Sequence, residues 1–287
     1  DCIAGVERVM LSKIAVIIRG SSLIGRNRVL RRILKMASNI FAKIIYGKYK
    51  KVSIAKKYKF LLNSDFAFSD YENWGNNHNK GFIKLLNISK DKQVVFDVGA
   101  HIGLCTLPLS GMAQKIISFE ASPVNGKYLN NHLRINNIRN VDVIPYLVGE
   151  KSKECVRFYD VQGGSGIPSI ANLGLLNKDV KIASIEVKQI SLDQFIGENS
   201  IIPDVIKIDV EGAEFNVLDG APTILKIHRP DIIISLHPRH LKSLQRDIIE
   251  IFDYCTKYSY RLLSCVDGHP ILVNELGLDE YYMQPIS

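Results

Sequence analysis

From Lys92 onward, short runs of β-branched and apolar residues alternate with stretches whose apolar positions recur every three to four residues. The first kind reads as strands at Gln93–Val98, Lys115–Phe119, Val141–Val148, Val205–Asp209, Ile232–Leu236, Tyr260–Cys265 and Ile271–Asn274. The second reads as helices near Leu104–Ala113, Pro123–Asn136, Ala213–Leu225 and Pro238–Lys257. This alternation predicts an α/β protein with a mostly parallel, doubly wound sheet covered by helices on both faces. Ligands on such sheets lie beyond the carboxyl ends of the strands. Between Lys151 and Ile190 the alternation breaks, and Cys155–Asp160 with Ser184–Ile190 reads as an extra hairpin around the Gly/Ser-rich stretch Gly163–Ser169.

The N-terminal part follows another pattern. Leu23, Leu30, Ile33, Leu34, Ala37, Ile40, Phe41, Ile44 and Ile45 recur at helical spacing, with Arg26, Arg28, Arg31, Arg32, Lys35 and Lys43 largely between them. A basic amphipathic helix over Leu23–Tyr46 follows. It suits either an anionic membrane surface or packing on the main domain with a solvated basic back. Tyr46–Lys59 reads as a linker leading into a short strand, and Asp65–Asn79 as a polar, aromatic loop or cap. The division expected is a basic arm over 1–57 and a domain over 58–287.

Charge sharpens this division. Residues 1–60 carry 15 lysines and arginines against two acids, a net +13. The remainder, with 22 basic and 27 acidic side chains, is net −5, although the chain as a whole is +8. A basic pI therefore describes the arm alone, and nucleic acid is not an expected partner of the domain. Five scattered cysteines without a C-x-x-C pair argue against a disulfide framework or a zinc site, and a cytoplasmic setting is the simplest expectation, with peripheral contact to an anionic membrane through the arm as a further option. No stretch reaches the ~18 apolar residues a membrane-spanning helix needs. The residues ahead of Met10 are set aside from fold reasoning.

Three clusters carry chemistry. In Val94-Val-Phe-Asp97-Val-Gly99-Ala100-His101-Ile-Gly103, an apolar strand runs into a glycine turn that opens a helix, where backbone N–H groups are free for a ligand. A dinucleotide fingerprint needs G-x-G-x-x-G, but His101 and Leu104 occupy the second and third glycine positions. Asp97-x-Gly99-x-x-x-Gly103 is the spacing of S-adenosylmethionine enzymes. The second strand ends at Glu120, placed to hydrogen-bond ribose hydroxyls. Asp97, Gly99, Ala100, His101, Gly103 and Glu120 are thus the expected cofactor contacts. The third cluster, Ile206-Lys-Ile-Asp209-Val-Glu211-Gly212-Ala-Glu214, sets three carboxylates after a buried strand.

The segments VVFDVGAHIG, SFEASP, ISLDQF (Ile190–Phe195), VIKIDVEGAEFNVLDGA and RPDIIISLHP (Arg229–Pro238) occur in the order seen in the FkbM family of methyltransferases, which the chain resembles from about Tyr58 onward. Where the family often has proline directly after the acid, this chain has SFEASP. The resemblance implies a Rossmann-like class I fold with a seven-stranded sheet and O-methylation of a hydroxyl on a sugar, glycan or other natural product.

Methyl transfer from a sulfonium asks the protein mainly to position the acceptor. A hydroxyl also profits from a general base, for which Asp209 and His237 are the candidates. A third option is a divalent cation such as Mg²⁺ held by Asp209 with Glu211 or Glu214. The alternatives weighed are an NAD-dependent enzyme, a nucleic-acid methyltransferase and a non-catalytic cofactor-binding module. The glycine spacing disfavours the first, and the acidic domain, lacking both Asn-Pro-Pro-Tyr and Pro-Cys, disfavours the second.

Overall fold

The computed structural model describes residues 40, 42–66, 69–76, 79–161 and 182–286. The chain falls into two compact units, one ending at Trp74 and one beginning at Gly75. Most of the expected basic helix, and the stretch Gly163–Ser169, lie outside the described residues.

In the first unit, β1 (Tyr49–Ile54) and β2 (Tyr58–Asn63) form an antiparallel hairpin, Tyr49 opposite Asn63 and Ile54 opposite Tyr58. Tyr46–Lys59 is therefore half of a hairpin rather than a linker, and the pairing runs across the expected boundary at residues 57/58.

The second unit opens with α1 (Gly81–Ser89), which buries Phe82, Leu85 and Leu86. The elements that follow are β3 (Val94–Val98), α2 (Thr106–Leu109), β4 (Lys115–Phe119), α3 (Pro123–Ile135) and β5 (Val141–Ile144). Next come β6 (Leu147–Val148), β7 (Lys153–Val161), β8 (Ile182–Ile190), α4 (Leu192–Asn199), β9 (Val205–Ile208) and α5 (Glu214–Asp219). The chain closes with β10 (Asp231–Leu236), α6 (Pro238–Ser243), α7 (Ile251–Tyr258), β11 (Tyr260–Ser264) and β12 (Asp279–Pro285).

Seven strands form one sheet in the order β11-β12-β10-β9-β3-β4-β5. Pairing from β10 to β5 is parallel, and β12 is antiparallel to both its neighbours. β3 and β9 lie at the centre because they are apolar on both faces, as a sheet covered by helices on each side requires. Chain order reverses between β9 and β4 on either side of β3, which puts the switch point at the end of β3. Behind it Phe96, Phe119 and Phe195 meet edge to face with centroids 5.0–5.6 Å apart. β6, β8 and β7 form a separate three-stranded sheet containing the expected extra hairpin.

Prolines explain two of the differences from the expected elements. Pro145 splits Val141–Val148 into β5 and β6, which join different sheets. Pro222 ends the helix expected over Ala213–Leu225, leaving α5 and a separate π-turn at Ile224–His228. The stretch Pro238–Lys257 divides because Asp247 and Glu250 form a capping box that starts a new helical segment. The strand expected at Ile271–Asn274 is absent. A 3-10 turn occupies Val273–Glu275, and the seventh strand is β12.

Candidate active site

The carboxyl ends of β3, β4, β9 and β10 bring the three sequence clusters to one edge. At the end of β3, Gly99 has φ +80° and passes so near β9 that a Cβ built on it would lie 1.9 Å from the Asp209 carbonyl oxygen. Only glycine fits there, and the two strand ends pack backbone to backbone. The N–H groups of Gly99 and Ala100 both donate to the Phe119 carbonyl at 3.0 Å, tying the turn to β4. Gly103 closes the turn, donating to the Ala100 carbonyl at 2.9 Å. From α3, the buried His132 donates from Nδ1 to the Ile102 carbonyl at 2.8 Å. Burial lowers its pKa, which favours the neutral ring.

Glu120 follows β4 and reaches back across this turn. Its carboxylate accepts from the His101 N–H at 2.7 Å and from the Ser122 N–H at 2.8 Å, with the side chain 7% exposed. His101 takes φ +53°, and it is its main chain that meets Glu120. Burial pushes the thiol of Cys105, which begins the short helix, above its ordinary range.

Asp97 differs from its expected role. Its carboxylate is fully buried, accepts from the Thr106 hydroxyl at 2.6 Å and pairs with Lys207 Nζ at 3.2 Å. It fastens the floor of the turn rather than reaching a ligand. Lys207, in the middle of apolar β9, also donates to the Gly99 carbonyl at 2.9 Å and lies 3.6 Å from Asp209. Burial acts to lower its pKa, but Asp97 and Asp209 outweigh burial and hold the ammonium charged.

Beyond β9, Asp209 and Glu211 meet His237 from the end of β10. His237 Nδ1 lies 2.7 Å from Glu214 Oε1, and Nε2 lies 3.3 Å from Glu211 and 3.8 Å from Asp209. Glu214 is fully buried and also accepts from the Gly212 N–H at 2.8 Å, so it stands behind the imidazole. Burial acts to lower the pKa of His237, but Glu214 first, then Glu211 and Asp209, raise it to about 9. His240 stacks on His237 at 5.7 Å, and its Nδ1 is 3.2 Å from Glu211. That stacking depends on Gly212 (φ +103°), because a Cβ there would meet His240 Cβ at 2.5 Å.

Glu280, on the strand the sequence did not reveal, reaches the same edge. It accepts from the N–H of Gly81 at 2.7 Å, at the start of α1, and from the Ser235 hydroxyl at 3.3 Å. Burial and the charge of Asp209 raise its carboxyl to about 7. Lys207, His240 and Glu280 are the site residues sequence reasoning missed. A lysine inside the apolar run VIKI was a usable signal, whereas nothing near Glu280 marks it.

The donor set fits S-adenosylmethionine. A buried carboxylate beside a glycine turn suits a ribose diol, and the surrounding acidic groups suit a sulfonium cation. Fold and site together define a Rossmann-like class I methyltransferase. Residues 97–262 match the methyltransferase FkbM domain, and the chain belongs to that family. Solved structures similar to it include the FkbM methyltransferase of Methylobacillus flagellatus, with 21% identity and a TM-score of 0.44, covering 68% of this chain and 44% of that one. This chain thus spans less than half the length of that relative. A putative methyltransferase of Streptococcus mutans in complex with SAH has 12% identity and a TM-score of 0.40, covering 71% of this chain and 94% of that one. TYW2 of M. jannaschii in complex with AdoMet has 15% identity and a TM-score of 0.40, covering 83% and 87% respectively. No curated protein sequence matches the chain.

Proposed function

We propose that the chain transfers the methyl group of S-adenosylmethionine to a hydroxyl of a sugar, glycan or other natural product. The observation carrying this reading is the placement of Asp209 beside the Gly99 turn, with His237 opposite it. A bound cofactor supplies the activated methyl group. The residues of this chain then have two tasks, to align an acceptor oxygen and to receive its proton.

Glu120 and the turn from Gly99 to Gly103 hold the cofactor. Asp209, 26% exposed, presents the carboxylate that accepts the proton from the hydroxyl. In the ion-free site the pKa of His237 is raised to about 9, so there it is charged near neutrality and acts as a donor that orients the acceptor oxygen. Proton acceptance therefore falls to Asp209. Residues 61–287 are net negative, which supports a neutral or cationic acceptor over nucleic acid.

The test begins with calorimetric titration of S-adenosylhomocysteine and, separately, NADH into wild type and Glu120→Ala. S-adenosylhomocysteine alone should bind, and about 10–100-fold more weakly to the variant, in keeping with a buried charge-assisted contact. Radiolabelled methyl transfer onto a panel of hydroxylated acceptors then follows, with Asp209→Asn expected to lose about 10²–10⁴-fold in kcat while keeping its affinity for S-adenosylhomocysteine. Binding of NADH, or methylation of amino groups alone, would overturn the reading.

A further inference from the structure

Asp209 Oδ1, Glu211 Oε2 and His237 Nε2 converge in one small space, their ligand atoms all within 4.8 Å of one another. They come from two neighbouring strand ends, β9 and β10, on a rigid parallel pair. The side chains of Asp209, Glu211 and His237 are 26%, 20% and 14% exposed, a half-buried pocket rather than an acidic surface.

Two further observations point to a ligand there. The first is what stands behind His237. Glu214, 0% exposed, meets Nδ1 at 2.7 Å and so turns Nε2 toward the two carboxylates. A carboxylate fixing the far nitrogen of an imidazole is how metal-bound histidines are oriented and made more basic. The second is that the other oxygen of Glu214, Oε2, is buried and has no hydrogen-bond partner among the described residues. A fully buried carboxylate beside two others is costly without a matching positive charge. Lys207 is shared between Asp97 and Asp209, and His240 Nδ1 lies 3.2 Å from Glu211. Three carboxylates thus face two imidazoles and one shared ammonium, and the unpartnered Glu214 Oε2 leaves a deficit that a divalent cation removes.

We propose that Asp209, Glu211 and His237 bind a divalent transition-metal ion, with Glu214 positioning the imidazole from behind. The imidazole decides the class of ion. Oxygen-only sets suit Mg²⁺, whereas mixed imidazole and carboxylate sets suit Mn²⁺, Fe²⁺, Co²⁺ or Zn²⁺. Glu214 thereby moves from ligand candidate to supporting group, because Oε1 is committed to Gly212 and His237. Three protein ligands leave coordination positions for water or an acceptor oxygen. Ion binding as such does not depend on the hydroxyl acceptor proposed above.

The experiment uses the full chain after dialysis against a chelator. Mn²⁺ is titrated by calorimetry and by loss of the free-ion paramagnetic resonance signal, and Mg²⁺ is titrated in parallel. One Mn²⁺ per chain should bind, at least tenfold more tightly than Mg²⁺. Glu211→Gln and His237→Gln should each weaken it by at least about 10–100-fold, since losing even a supporting group behind a metal ligand costs that much. His269→Gln serves as the control, because His269 sits in an exposed cluster with Asp267 and Glu275, and it should bind as wild type does. Pulsed resonance on Mn²⁺-loaded wild type should show imidazole nitrogen coupling, a readout that needs no variant to fold. Absence of stoichiometric Mn²⁺ binding, tighter binding of Mg²⁺, absence of nitrogen coupling, or loss of binding in His269→Gln would each overturn the proposal. Failure to methylate any acceptor, with Mn²⁺ still bound, would sink the catalytic reading and leave this one standing.

Discussion

Gly99 and Asp209 touch through their backbones, the only space for a Cβ on the first being taken by the carbonyl oxygen of the second. The glycine of the turn is thus fixed by the neighbouring strand as much as by any ligand. Gly99→Ala forces β3 and β9 apart and places alanine at φ +80°. The expected cost is about 2–4 kcal/mol, combining overpacking with left-handed backbone strain. Thermal denaturation measures it, and calorimetry should show S-adenosylhomocysteine binding lost with it. Unchanged stability with binding alone lost would mean that the turn, not the strand contact, sets the requirement.

Lys207 and Asp97 form a buried pair whose halves need each other. Lys207→Met strands the Asp97 carboxylate in the core, at an expected cost of about 3–5 kcal/mol. Adding Asp97→Asn to Lys207→Met removes the stranded charge and should recover most of that loss. Chemical denaturation of the two single variants and the double variant gives the coupling directly. Additive losses would show that the pair does not act as a unit.

Glu280 gives stability a dependence on pH. Its folded pKa of about 7 lies above the ordinary 4.5, so the folded state holds the proton longer than the unfolded one. Its stabilising contribution is complete below about pH 4.5 and is lost as pH rises through 7. Glu280→Gln keeps an acceptor for the Gly81 N–H and removes the titration. Melting curves between pH 5 and 8, with chelator present, should show wild type losing ground to the variant as pH rises. A constant difference between the two would contradict the raised pKa.

Asp193, in the motif ISLDQF, accepts from the N–H groups of Thr223 and Ile224 at 2.7 and 3.0 Å. Ser191 of the same motif caps α4 by accepting from Gln194 N–H at 3.2 Å. The motif thus joins two helical segments. Asp193→Ala should cost about 1–2 kcal/mol, as other lost caps do, and leave S-adenosylhomocysteine affinity unchanged. A fall in affinity without a fall in melting temperature would assign the motif to the site.

What the sequence made legible was local and periodic. β4 stands where its β-branched run ends, at Lys115–Phe119, and the glycine turn and Glu120 meet as their spacing implied. Asp209 and His237 also meet, although 28 positions separate them in the chain. Roles decided by three-dimensional packing were not legible. Asp97 heads the glycine motif, yet a lysine 110 positions away and the Thr106 hydroxyl claim its carboxylate. Glu280 was invisible because β12 inserts antiparallel between β11 and β10, and Asp279 and Glu280 open it with charge instead of an apolar run.

The small sheet of β6, β7 and β8 is entered and left at a single point. Leu147 lies opposite Gln189, Val148 opposite Ile190, and the Gly149 N–H returns to the Ile190 carbonyl at 3.0 Å. Among the described residues between these points, β7 and β8 lend no strand to the seven-stranded sheet. Such a segment can lengthen, shorten or be traded for another at little entropic cost and without disturbing register elsewhere. Recombination, natural or in the laboratory, has here matched ends at Leu147–Val148 and Gln189–Ile190, and an exchange between them must keep an apolar side chain where Phe158 packs on Ala121, next to Glu120.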